Sequence, residues 1–209
     1  MNIAIRLFLG YFLIVGLAAW FVVNIFAKEV EPGVRQATED ALVDTANVLA
    51  ELVADDLARG RIADGGFARA MHAALERKLH ASIYDIEKES VEIQVIVTDA
   101  KGIVAFDSDD SAVGTDYSQW RDIALVLRGE YGARSTRVDP TDPDSSVMYV
   151  AAPVTREGKT IGVVSVAKAA NSLMPYANRA RDRVRRAGFW LLAASALTGL
   201  AFTLWLTLS

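Results

Sequence analysis

Five side chains in the second half of a 209-residue chain could together hold a small acid: Tyr117, Trp120, Arg134, Thr136 and Tyr149. A guanidinium grips both oxygens of a carboxylate through paired N–H donors, and neighbouring aromatic rings supply an apolar wall. A purely structural account of the same residues makes Trp120 and Tyr149 core and Arg134 a surface charge or an ion-pair partner of Asp107 or Asp116.

Other chemistry-bearing groupings are poorer. Asp107, Ser108, Asp109 and Asp110 lack the spacing of an EF-hand loop and are expected to form an acidic turn after a strand. Asp139, Pro140, Asp142, Pro143 and Asp144 are turn formers first. His72 and His80 are eight residues apart, close enough to share a helix face, but no third ligand has fitting spacing. Ser145 and Ser146 lack a G-x-S-x-G context, and neither histidine is recognisably placed as a base. No catalytic residue, metal or cofactor is therefore expected.

The elements that must position the five residues follow from periodicity. Val34, Ala37, Ala41, Val48 and Leu52 recur at helical spacing, with Leu42, Leu49 and Val53 widening the stripe, after a break expected at Pro32 and Gly33. Part of the stripe suits a sheet, and part has the a/d spacing that meets a second subunit. Gly60 is the expected stop. A second helix is expected from Gly66 to about His80, with Phe67, Met71, Leu75 and Leu79 on one face. The period then changes to two: Ile93 to Thr98 and Ile103 to Phe106 form a hairpin around Asp99 to Gly102. A short helix from Ser118 to Arg128, a strand from Tyr131 to Val138, and a hairpin of Val147 to Val154 with Thr160 to Ala167 complete the domain. The order predicts an α+β domain, an antiparallel sheet of about five strands with helices on one face.

Two uncharged apolar stretches, Leu7 to Ala27 and Ala187 to Leu208, bracket this domain. At about 1.5 Å per residue each can cross a hydrocarbon core of roughly 30 Å. The first lacks an A-x-A-like site, its exit being Asn24, Ile25, Phe26, Ala27 and Lys28, so it is expected to be an uncleaved anchor rather than a secretory signal. The second carries small residues at four-residue spacing, Ala194 with Thr198 and Ser195 with Gly199, which suits close approach of a neighbouring helix. Asn171, Ser172 and Pro175 are expected to start a helix that enters the second stretch without a break. The expected boundaries are residues 1–27 for the first span, 28–178 for the central domain, and 179–209 for an Arg-rich juxtamembrane helix with the second span.

Lys28 to Asn178 holds 16 Lys or Arg against 25 Asp or Glu, a net of −9, which excludes a nucleic-acid binder because phosphate affinity comes mainly from basic side chains. Arg179 to Arg186 holds five Arg and one Asp. The positive-inside rule would put that segment in the cytoplasm, but long domains translocate largely regardless of charge, and the central domain is expected outside the cytoplasm. Absence of cysteine distinguishes neither compartment.

The strings LFLGYFLIVGLAAWFV (7–22), KEVEPGVRQATED (28–40), VGTDYSQW (113–120), LRGEYGARST (127–136), DPDSSVMYVAAPV (142–154) and IGVVSVAK (161–168) resemble the input half of CreC-type sensor histidine kinases, over essentially the whole chain. The domain also resembles the PAS-like extracytoplasmic sensor fold called PDC or Cache, a long helix followed by a five-stranded antiparallel sheet. The resemblance implies a homodimer in the bacterial inner membrane with a periplasmic domain, sensing a small molecule or envelope signal. It further implies displacement of the second span, and a response regulator reached only through cytoplasmic parts beyond Ser209. Neither histidine lies in a phosphoacceptor motif and no nucleotide loop is present in these 209 residues, so this chain by itself is not expected to be an enzyme. A chemoreceptor, a cyclic-dinucleotide enzyme or a membrane-anchored protein-binding module would use the same plan.

Overall fold

The computed structural model describes residues 3–83, 86–142 and 145–208. It divides into two compact units: Gln36–Pro175, and the chain up to Arg35 together with the chain from Tyr176. Helices α1 (Ile3–Ala58), α2 (Gly66–Leu75), α3 (Arg121–Leu127) and α4 (Met174–Leu208) and strands β1 (Ala81–Ile83), β2 (Ile86–Lys88), β3 (Gln94–Asp99), β4 (Val104–Asp107), β5 (Gly132–Arg137), β6 (Ser146–Arg156) and β7 (Lys159–Ala169) follow in chain order. A 3-10 turn, Ala170–Ser172, separates β7 from α4.

In the first unit β4-β3-β7-β6-β5 form one antiparallel sheet, and β1 pairs with β2 in a separate hairpin. The expected five strands are present; the small hairpin has no counterpart in the periodicity, its strands being three residues each. From α1, Leu42, Ala46, Ala50, Val53 and Ala54 face inward at helical spacing and join Phe67 and Met71 of α2 over Val95, Val97, Val150, Val154, Val164 and Val166. On the opposite face, Ile123 and Val126 of α3 pack on Ala151 and Val163. Helices therefore cover both faces, not one as expected. Side chains alternate across a strand, and Val163, Val164, Ser165, Val166 and Ala167 are all buried, so β7 needs cover on each side.

Two helix boundaries also differ from expectation. No break occurs at Pro32 and Gly33, because α1 continues through Pro32. A proline removes one backbone hydrogen bond, and a helix of this length retains enough of its ladder to continue. Helix α2 stops at Leu75 rather than about His80, and the Leu79 N–H instead donates to the Glu89 carbonyl at 2.7 Å. Gly60 does end the first helix, at φ +62°, with its N–H on the Leu57 carbonyl at 3.0 Å. The Asp56 carboxylate then accepts from the Phe67 N–H at 2.8 Å, so the end of α1 caps the start of α2.

In the second unit, both helices are long and apolar enough to cross a membrane. They run antiparallel through two close contacts: a Cβ at Gly188 would clash with Val23, and one at Gly199 would lie 3.1 Å from Phe8 and 3.3 Å from Tyr11. Gly199 is buried, whereas Ala194 and Thr198 are exposed, so only one of the two expected small-residue pairs contributes to this contact.

Candidate functional site

Strand register assembles the site on the α3 face of the sheet. Gln94 of β3 stands beside Ala167 of β7, Ala167 beside Tyr149 of β6, and Tyr149 beside Arg134 of β5, a row across four strands. The adjoining row holds Ala169, Val147 and Thr136. Cross-strand neighbours of this kind lie within side-chain reach, so Arg134, Thr136 and Tyr149 meet by register alone. The loop before α3 supplies the remaining two. The Tyr117 N–H donates to the Gly102 carbonyl at 2.9 Å and the Ser118 N–H to the Asp116 carboxylate at 2.8 Å, which holds the turn leading to Trp120, the N-cap of α3.

All five expected residues come together. Tyr117 stacks on Trp120 with ring centroids 3.8 Å apart, and Trp120 meets Tyr149 edge-on at 6.3 Å. The Arg134 guanidinium lies between them, 4.0 Å from the Trp120 ring and 3.7 Å from the Tyr149 ring. Its Nη1 donates to Thr136 Oγ1 at 2.7 Å. Its Nε donates to Asp122 Oδ1 at 2.8 Å, and Asp122 Oδ2 accepts from Ser165 Oγ at 2.7 Å.

The ion-pair partner is thus Asp122, not Asp107 or Asp116. Asp122 is 1% exposed and the Arg134 side chain 13%, so the pair is withdrawn from water. The sequence did carry a signal for it: an acidic residue in the first turn of the short helix, in front of a strand arginine. Asp122 and Ser165 are the two site residues that the sequence reading missed. With Nε and one Nη1 proton committed and aromatic rings over the guanidinium, the second Nη1 proton and both Nη2 protons remain, and Nη2 is buried and without a hydrogen-bond partner.

A cavity of about 660 Å³ adjoins the cluster, lined by Gln94, Tyr149, Val147, Ala167, Ala169, Asp109, Glu92, Ile93, Val138, Asn171 and Ser172. Tyr149 alone of the five expected residues reaches it. Alanine at 167 is the gap in the Gln94, Ala167, Tyr149, Arg134 row, and the absence of a large side chain there leaves the space.

Asp107 forms the adjacent corner. It is 0% exposed and accepts from Gln94 Nε2 at 2.9 Å, the Asp109 N–H at 3.1 Å, Ser111 Oγ at 3.0 Å and the Ala112 N–H at 3.0 Å. Burial works to raise its carboxyl, but these four donors together hold it below the usual carboxylate range. Burial and the neighbouring Asp107 charge push the Asp109 carboxyl up. The turn is built around Asp107 in just the way an acidic turn after a strand requires. In the 139–145 loop, the Asp139 carboxylate accepts from the Thr141 N–H at 2.8 Å and from Thr141 Oγ1 at 2.7 Å; Pro143 and Asp144 lie outside the described residues. His72 packs edge-on against Phe106 at 5.6 Å, and His80 lies beyond the end of α2, so the two do not share a helix.

Residues 40–182 match a family model described as "Double sensory domain of two-component sensor kinase". Within that span the described residues build one five-stranded sheet and one two-stranded hairpin. The chain is similar to "Sensor protein CreC" of Escherichia coli (strain K12), 48% identical over 209 residues, covering 100% of this chain and 44% of that protein. It therefore spans less than half the length of that curated relative. Among solved structures it is similar to the sensor domain of the V. cholerae histidine kinase DctB, with a TM-score of 0.49, 16% identity, and coverage of 72% of this chain and 57% of that one. It is also similar to the E. coli DcuS sensor domain, with a TM-score of 0.45, 20% identity, and coverage of 68% and 98%.

Proposed function

Because this chain belongs to the family of double sensory domains of two-component sensor kinases, we propose that it is the signal-receiving, membrane-spanning input region of a sensor histidine kinase. In this reading residues 1–27 anchor it in the bacterial inner membrane, residues 28–178 sense in the periplasm, and residues 179–209 carry the output to a cytoplasmic kinase and its response regulator. The observation that carries the reading is α4, one α-helix from Met174 to Leu208 that begins directly after the turn at the end of β7. A shift of the central strand β7 has no loop in which to dissipate before the apolar segment. Tyr117, Trp120, Arg134, Thr136 and Tyr149 are the ligand-responsive cluster, with Tyr149 shared between the stacked guanidinium and the cavity.

A chimaera tests the output. With this chain replacing the matching segment of E. coli Sensor protein CreC, one alanine inserted between Arg186 and Ala187 turns everything after it by about 100°. Phosphotransfer to the response regulator is expected to change several-fold relative to the uninterrupted chimaera. Output indifferent to insertions of both one and two alanines would make α4 a tether.

The same reading includes a homodimer. Ala41, Thr45, Val48 and Leu52 of α1 follow a 4-3-4 spacing on the side away from the sheet, and Val48 and Leu52 are 60% and 64% exposed. That spacing suits the identical helix of a second copy. The chain has no cysteine of its own, which makes single-cysteine crosslinking clean. Cysteine at 45, 48 or 52 is expected to crosslink at least tenfold faster than cysteine at the inward positions 50 or 54; equal rates would remove α1 as the interface.

A further inference from the structure

The cavity beside Tyr149 has a chemistry opposite to that of the arginine cluster. Along β7, Val163 is covered by α3 and Ser165 is held by Asp122, but the next two positions on that face, Ala167 and Ala169, form the floor of the cavity. The 3-10 turn that leads into α4 contributes Asn171 and Ser172 to the wall. A volume of about 660 Å³ lies within the range of small-molecule sites.

Two of the polar groups on the wall, Gln94 and Ser172, have a donor engaged elsewhere and keep acceptor atoms. Gln94 gives one of its two amide protons to Asp107 and keeps its carbonyl oxygen as an acceptor. Ser172 gives its hydroxyl proton to the Ala169 carbonyl at 2.7 Å, leaving its lone pairs. Glu92 is already engaged by Lys88 at 3.4 Å and Lys168 at 3.7 Å. Asp109 faces the cavity with Ser108 Oγ, at 3.5 Å, as its side-chain donor and the ionised Asp107 next to it. No lysine or arginine lines the cavity, and Arg134, across the Tyr149 ring, is neutralised by Asp122. An acceptor-rich, negatively charged site favours a ligand that is cationic and rich in N–H donors. Among the described residues no group of three or more carboxylates and histidines is arranged for a metal ion, and the cavity is wide enough for an organic cation.

We propose that this cavity binds a small aliphatic amine, its ammonium group on Asp109 and the Gln94 carbonyl and its carbon chain along Ala167, Ala169 and Val147. Binding stands independently of the sensory reading; its signalling consequence, exerted through Asn171 and Ser172 at the start of α4, rests on that reading.

Calorimetric titration of the full chain in lipid nanodiscs tests the assignment, with putrescine and ethanolamine as probes and succinate as the anionic control. At least one amine is expected to bind saturably, at least tenfold more weakly in Asp109→Asn, and without detectable binding in Ala169→Leu, which fills the floor. Both variants are expected to melt within a few degrees of the parent, and each checks the other. Amines inert while succinate binds, no binding of either amine, or amine binding unchanged in both variants would each overturn it. If an amine binds but leaves chimaera output unchanged, the sensory reading fails and the cavity assignment survives. If no amine binds while alanine insertion in α4 still alters output, the reverse holds.

Discussion

Replacing Asp122 with alanine is expected to cost the sheet-bearing unit about 3–5 kcal/mol of folding stability, because it strands the Arg134 guanidinium with no counter-charge in a site it leaves only 13% exposed. Ser165 Oγ loses its acceptor in the same step. The aromatic stack does not compensate, since each cation–π contact contributes about 0.5–2 kcal/mol whether or not the carboxylate is present. The double variant Asp122→Ala with Arg134→Met removes both charges and keeps an apolar filling between Trp120 and Tyr149. It is expected to be substantially more stable than Asp122→Ala alone, as buried ion pairs replaced by apolar side chains usually are. Chemical denaturation followed by tryptophan fluorescence measures both; a double variant no more stable than the single one would show that the pair is not the main contribution.

Gly162→Ala is expected to destabilise by about 3 kcal/mol, at the upper end of overpacking costs. Gly162 sits in β7 between Asp99 of β3 and Val154 of β6. A Cβ there would clash with the Thr98 carbonyl oxygen and lie 2.5 Å from Leu57 Cδ2. The Leu57 side chain can rotate away, but the Thr98 carbonyl belongs to a strand paired on both sides and cannot move without disturbing the β3–β7 ladder. Gly33→Ala is the contrast: nothing lies within 4 Å of a Cβ at that helical position, and the change is expected to be neutral or to stabilise by up to about 1 kcal/mol. Equal melting temperatures for Gly162→Ala and Gly33→Ala would contradict the packing seen at Thr98.

Most of the strands were legible because apolar runs, period-two alternation and turn residues are local signals, and β3, β4, β5, β6 and β7 all occur where those signals placed them. Two-sided cover was legible too, in the unbroken run GVVSVA of β7, but it requires treating a run without alternation as a strand buried on each side. The hairpin of β1 and β2 has three-residue strands, too short for any period to register. The continuation of α1 through Pro32 was hidden because proline is a strong local breaker, whereas helix continuity depends on the length of ladder on either side. At the site, residue types located all five members of the cluster. Their chemistry depended on pairing: the acidic first turn of α3 marks Asp122 as a candidate, but the partner of Arg134 is decided by the fold that sets β5 under that turn. The cavity was likewise invisible, since it results from an alanine, a residue notable in sequence for nothing.

The two long apolar helices touch where Gly188 admits the Val23 side chain, and again 11 residues along α4 where Gly199 admits Phe8 and Tyr11. Eleven residues are about three full turns, so both notches lie on one edge of the helix, roughly 16 Å apart. Valine seated in a glycine notch behaves as a tooth in a rack. Axial sliding of one helix by about one turn brings Val184 or Leu192, on the same edge as Gly188, up against that tooth, whereas swivelling about the contact does not. Relative motion of the pair meets the least steric resistance as a pivot.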